Sequence, residues 1–147
     1  MAPRSERLAP VQHVVDNAER RLAQSVASIE RRLAEADGKL IELMRYRSEY
    51  EQQFAARASG GIGVAELRDY QAFLARLNEA IRQQQAVVYR IRAERDAERA
   101  RWQAAAQRAE AVGNLVERWQ VEERRVADRR EQREIDERAQ RIRKLEL

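Results

Sequence analysis

Two long runs of helix-period apolar residues, separated by a single glycine-rich break, leave this chain few ways to fold. The break is Ser59-Gly60-Gly61-Ile62-Gly63. Before it, one stripe runs Val11, Val15, Ala18, Leu22, Val26, Ile29, Leu33, Ala36, Leu40, Leu43, Arg47, Tyr50, Phe54. After it runs a second, through Leu67, Tyr70, Leu74, Leu77, Ile81, Gln84, Val88, Ile91, Arg95, Glu98, Trp102, Ala105, Ala109, Val112, Val116, Trp119, Glu123 and Val126. Steps of three and four alternate in both, the spacing that keeps one stripe of a helix facing a partner helix. The first run breaks step only at Ala18, Leu22 and Val26, a stutter that locally unwinds a left-handed supercoil. Gly38 is unfavourable in a helix by ~1 kcal/mol against Ala but lies off the stripe, so the helix is expected to pass through it.

Three glycines in four residues permit the positive φ that a helix end and chain reversal need. They do not form a phosphate loop, since no Lys-Ser/Thr follows and no strand precedes. The expected fold is all-α: an antiparallel two-helix coiled-coil hairpin with a longer second helix, forming one domain over residues 1–147. Helix 1 is expected at about 10–58, the turn at 59–63 and helix 2 at about 64–140. This register sets Phe54 opposite Tyr70, Leu43 opposite Ile81, and Leu22 opposite Trp102. Arg95 and Glu98 then face the stretch from Ser25 to Ile29, where loose packing is expected. Residues 1–9, interrupted by Pro3 and bounded by Pro10, are expected to fray, with Pro10 in the first helical turn. Pro10 would then face Gly113. Residues 114–147 would overhang without an intrachain partner, the last of them ordered only by a bound partner.

Composition narrows the function. Charged residues make up 37% of the chain and aromatics 5%, so two helices can bury one seam but enclose no pocket. The 29 basic residues are interleaved with 25 acidic ones. That pattern suits solvated faces laced with i,i+4 pairs, and it lacks the cationic stripe that phosphate binding needs, so no nucleic-acid partner is expected. There is no cysteine, hence no disulfide and no thiolate site. No apolar run approaches the ~20 residues of a membrane span, and the N-terminus lacks a signal-peptide core. Direct membrane insertion is therefore not expected. His13 has no His or Cys companion for a metal or an acid–base pair, and Ser5, Ser25, Ser28, Ser48 and Ser59 have no base placed to activate them. The sequence predicts no enzyme, no catalytic residue, no cofactor and no metal.

The few aromatics are more telling. Tyr50, Phe54, Tyr70 and Trp102 lie on the seam, where core packing accounts for them. Tyr46 and Phe73 sit one position off it. Lys39, Leu43, Tyr46 and Tyr50 follow steps of four, three and four, and Phe73, Leu77, Ala80 and Gln84 repeat those steps on the other helix. The register lays the two stripes side by side near the turn, and exposed aromatics with aliphatic neighbours mark docking surfaces. Further on, Val116, Trp119 and Val126 continue the seam past Gly113. Either a partner covers that stripe or the N-terminal residues fold back over it, which Pro3 and Pro10 make awkward without forbidding.

At this point the chain resembles a known family. The run Leu43-Met44-Arg45-Tyr46-Arg47-Ser48-Glu49-Tyr50 looks like the first-helix signature of FliJ, the coiled-coil component of the bacterial flagellar export apparatus. The stretch from Tyr70-Gln71-Ala72-Phe73 to Ala80-Ile81 resembles the family's Tyr-x-x-Phe-x-x-x-Leu-x-x-Ala-Ile, and Asp136-Glu137-Arg138-Ala139 resembles its Asp-Glu-x-Ala ending. The likeness is collinear over roughly residues 38 to 143. It implies a non-enzymatic, stalk-like coiled coil, cytoplasmic and peripheral at the inner membrane, at the flagellar base. It implies docking to the export gate FlhA through Lys39, Leu43, Tyr46, Tyr50, Phe73, Leu77, Ala80 and Gln84. It also implies contact with the export ATPase FliI, accompanied by its regulator FliH, and with substrate chaperones that the protein escorts. The same resemblance suggests that the ATPase ring covers the stripe at Val116, Trp119 and Val126, with Arg118, Arg124, Arg125, Arg129 and Arg130 meeting its loops. A monomer in isolation is expected. A homodimeric coiled-coil scaffold, or the equivalent stalk of a virulence type III secretion system, are the alternatives.

Overall fold

The computed structural model describes residues 2–146. Two helices are the only secondary structure among them: α1, Arg4–Ala58, and α2, Val64–Glu146. They pack against each other, and α2, at 83 residues, is longer than the 55-residue α1. The expected all-α hairpin is thus the fold. By contacts the chain divides into the unit Leu22–Arg101 and a second unit made of the two flanking segments.

In the unit Leu22–Arg101 the reversal is made where α1 runs out of intrahelical partners. Gly60 and Gly61 donate their N–H groups to the carbonyls of Arg57 and Ala58 at 3.1 and 3.0 Å, closing the last turn. The Ser59 hydroxyl donates to the Ala56 carbonyl at 2.7 Å. Gly61 has φ of 90°, a conformation that excludes most side chains. Leu67 then donates to the Gly63 carbonyl at 3.2 Å, opening α2. Arg57 in the last turn of α1 and Glu66 in the first turn of α2 oppose the local helix dipoles.

Behind the turn, the seam alternates apolar and polar layers. Ile29, Leu33, Ala36, Val88 and Ile91 form a buried cluster, with Leu40 and Val87 packed on its edge, and Leu77 and Ile81 are also buried. Polar groups pin the register between these layers. Gln84 donates its side-chain amide to the Ala36 carbonyl at 2.9 Å, and Arg47 donates to Asn78 at 3.0 Å. Glu98 does face Ser25, accepting from its hydroxyl at 3.0 Å. The pairs Arg32–Glu94 and Arg99–Glu30 flank the seam at 3.1 and 3.0 Å, but both are about half exposed, so each is worth at most about 1 kcal/mol and acts chiefly on register.

The other unit differs from expectation at the N-terminus. Helix α1 begins at Arg4, six residues before the expected start, and Pro10 lies inside it rather than in its first turn. Pro10 cannot donate to the Glu6 carbonyl, a defect that weakens a helix interior by about 3 kcal/mol. Packing on α2 offsets it. Ser5 is buried and Leu8, Gln12 and Val15 are half-buried, so the seam continues in steps of three, four and three, with polar Ser5 and Gln12 among its members, while Val11 is exposed. Gln12, not Pro10, faces Gly113; its side chain lies 3.9 Å from where a Cβ on that glycine would stand. The expected overhang beginning at residue 114 is therefore shorter, since Val116 is buried and Trp119 half-buried. Helix α2 also continues to Glu146, past the expected end near 140, with every described residue beyond Glu123 exposed.

One substitution made at two glycines separates turn from helix. Gly61→Ala should lower stability by about 1 kcal/mol because it forces a side chain into positive φ. Gly38→Ala should raise stability by up to ~1 kcal/mol, since the position is helical and a Cβ there meets nothing within 4 Å. Urea denaturation followed by circular dichroism measures both.

Candidate docking surfaces

The turn-proximal face is built from side chains that the seam cannot hide. Tyr46 is 50% exposed. Its ring meets Phe73 edge-on at 6.0 Å and stacks on Tyr50 at 6.3 Å. Tyr50 in turn lies 4.5 Å from Phe73 and 5.4 Å from Tyr70, and Phe54 stacks on Tyr70 at 3.6 Å. Five rings from two helices thus form one ladder running from the seam to the surface. Tyr50 and Phe73 are half-buried, so each has one side packed and one side free. A ring held this way loses little freedom on docking, which favours it as an anchor.

Beside the ladder lies an open groove of about 450 Å³ lined by Lys39, Glu42, Leu43, Tyr46 and Gln84. Four of these five belong to the two stripes singled out in the sequence. Glu42 does not, and its only signal was its three-residue spacing from Lys39. Leu77 is buried between the helices and Ala80 is half-buried, so Leu77 supports the face from beneath. Gln84 reaches the groove while its amide holds the Ala36 carbonyl. This surface offers a flat aromatic patch, a short aliphatic trough and one cation, which suits protein docking rather than catalysis.

The second candidate face is on α2 beyond Gly113. An open groove of about 460 Å³ is lined by Leu115, Arg118, Trp119, Val121, Glu122 and Arg125. Val116 is buried beneath this stretch, Trp119 is half-buried, and Arg118, Arg124, Arg125, Val126, Arg129 and Arg130 are exposed. The N-terminal turn of α1 covers part of this face. The N–H and hydroxyl of Ser5 both donate to the Glu123 carboxylate, at 3.1 and 2.6 Å, and the Arg4 guanidinium lies 5.6 Å from the centre of the Trp119 ring. Trp102, further back on the seam, donates its indole N–H to Glu19 at 2.9 Å.

No three His, Cys, Asp or Glu side chains gather as a metal site among the described residues, and His13 is exposed. Among the described residues, Glu123 carries the one clear shift of a titrating group. Its carboxyl is held below the ordinary 4.5, first by the Ser5 hydroxyl, then by the Ser5 N–H, against a smaller desolvation that pushes it up. A carboxyl depressed in the folded state contributes stability that is complete above its ordinary value and is lost as pH falls through the lower folded value. The Ser5 amide should therefore lose protection only below pH 4.5, and Glu123→Gln should abolish that step. An NMR pH titration of the Ser5 amide measures it.

A family model described as the flagellar FliJ protein matches residues 4–144. No curated protein and no solved structure matches the chain.

Proposed function

The chain belongs to the flagellar FliJ family, and from that membership, which makes it a non-enzymatic component of the flagellar export apparatus, we propose that it is a stalk-like coiled coil linking the export ATPase FliI, with its regulator FliH, to the export gate FlhA. In this reading it also escorts the substrate chaperones, and it works on the cytoplasmic side of the inner membrane. No described helix is long and apolar enough to cross a membrane, and in this reading membrane association goes through partners.

The observation that carries the reading is the half-open aromatic ladder. Tyr46, Tyr50 and Phe73 come from two helices and meet beside a groove lined by Lys39, Leu43, Tyr46 and Gln84. Internal packing explains Phe54 and Tyr70, which stack on each other, but it does not require Tyr46 to stand half in water. A gate-docking role accounts for both the exposure and the rigidity, with Leu77 and Ala80 backing the face. The Trp119 groove, with Arg118, Arg125 and Val126, supports a second and separate contact, assigned to the ATPase.

Calorimetric titration against the cytoplasmic domain of the gate protein tests the first assignment. Phe73→Ala should weaken binding by ~2 kcal/mol or more, the scale of an aromatic anchor, with little change in helicity. Leu77→Ala should behave differently: as a buried residue it should lose about 2 kcal/mol or more of folding stability. If Phe73→Ala binds the gate normally, the assignment fails.

The second assignment predicts a division of labour. Arg118→Glu combined with Arg125→Glu should reduce stimulation of the ATPase at least tenfold, since like charge set across a docked interface costs several kcal/mol. Gate binding should be unchanged. Loss of both activities together would refute separate faces.

A further inference from the structure

The first turns of α1 lie across the face of α2 that carries Trp119, and their hold on it is narrow. Ser5 is 7% exposed although it is the second residue of its helix. The Glu123 carboxylate takes both of its hydrogen bonds, and Arg4 sits over the Trp119 ring. On α2, Val116 is 6% exposed while Val126, the seam position after Glu123, is 51% exposed. Seam burial on α2 thus stops where the α1 segment stops.

Behind this segment stands Pro10. It leaves the Glu6 carbonyl without its usual donor, and its ring crowds that carbonyl. A missing rung is where a helix bends or parts. The residues before it can therefore leave α2 without unwinding those after it, and a segment with few buried contacts opens at low free energy. Its covering is also incomplete. A groove of about 480 Å³ lies between Pro3, Arg4 and Arg7 on one side and Trp119, Val126 and Arg129 on the other. A partner seated on Val126 would already touch the edge of Trp119.

We propose that residues 2–9 form a displaceable latch, which in the free chain covers the Trp119 face and swings away about Pro10 when that face docks the ATPase. The latch rests on the assignment of that face to the ATPase made above. Its consequence is quantitative: partner affinity is reduced by the fraction of chains whose latch is closed, so loosening the latch tightens binding and tightening it weakens binding.

Two full-length variants push in opposite directions. Ser5→Ala removes the hydroxyl donor to Glu123, and Pro10→Ala restores the missing backbone donor. Amide exchange at Arg7, Leu8 and Ala9 should become about tenfold faster in Ser5→Ala, the scale of one lost charge-assisted bond. It should become at least tenfold slower in Pro10→Ala. Binding to the ATPase should strengthen in the first and weaken in the second. If Ser5→Ala weakens binding, the segment is part of the docking surface and the latch is overturned. The same holds if residues 7–9 exchange in step with residues 15–20, because the segment then does not open by itself. Trp119→Ala distinguishes failure of the face from failure of the latch. If it binds the ATPase normally, the assignment of the face fails and the latch falls with it. If it loses binding while Ser5→Ala and Pro10→Ala leave binding unchanged, the latch alone is overturned.

Discussion

Everything in this molecule depends on a seam too narrow to tolerate a slip. Two helices meeting along one stripe have no second layer to correct an error, so each apolar residue must meet its opposite number. The chain meets this demand with polar groups inserted between apolar layers. Gln84 holding the Ala36 carbonyl, Arg47 holding Asn78, and Glu98 holding Ser25 each lose their partner if the helices shift by a turn. Such bonds add little net stability, but leaving them unmade in a half-buried seam is costly. Register is thus set by the penalty of mismatch, and burial of Ile29, Leu33, Val88 and Ile91 supplies the attraction.

The open aromatic face follows from the same constraint. A two-helix seam cannot cover rings placed one position beside it. Tyr46 and Phe73 are therefore held on one side by the seam aromatics and left open on the other. The surface is rigid because it is continuous with the packing beneath it: Phe73 rests on Tyr50, which rests on Tyr70. Tyr50 packs against Tyr46, Tyr70 and Phe73 at once, so a change at Tyr50 should be read first as a change in packing.

Most of the fold was legible because heptad spacing is a direct statement about which face is covered. From Val15 to Phe54 and from Tyr70 to Glu123, every residue placed on the seam by spacing is buried or half-buried. The reading failed where the seam turned polar. At the N-terminus, apolarity chose Val11 and proline suggested fraying, but the covered positions are Ser5, Leu8 and Gln12. Their steps of three and four continued the pattern; the polar Ser5 and Gln12 hid it. A serine becomes a seam residue only because Glu123 arrives opposite it, and no single-helix pattern contains that fact. For the same reason the turn-proximal stripes could be placed from spacing, whereas the groove beside Glu42 could not.

Among the described residues, no large side chain is completely shut away from water. Each layer touches the layers above and below and little else, as in proteins built from stacked repeats, where stability accumulates from neighbour to neighbour. Damage in such a stack stays local, and so does repair. Length then becomes an adjustable quantity: removing seven residues from each helix at matched levels would re-form the seam with its pairs intact, whereas removing seven from only one helix would set every later layer against the wrong partner. A lineage can change the reach of such a helix pair in whole heptads, provided both strands of the stack change together.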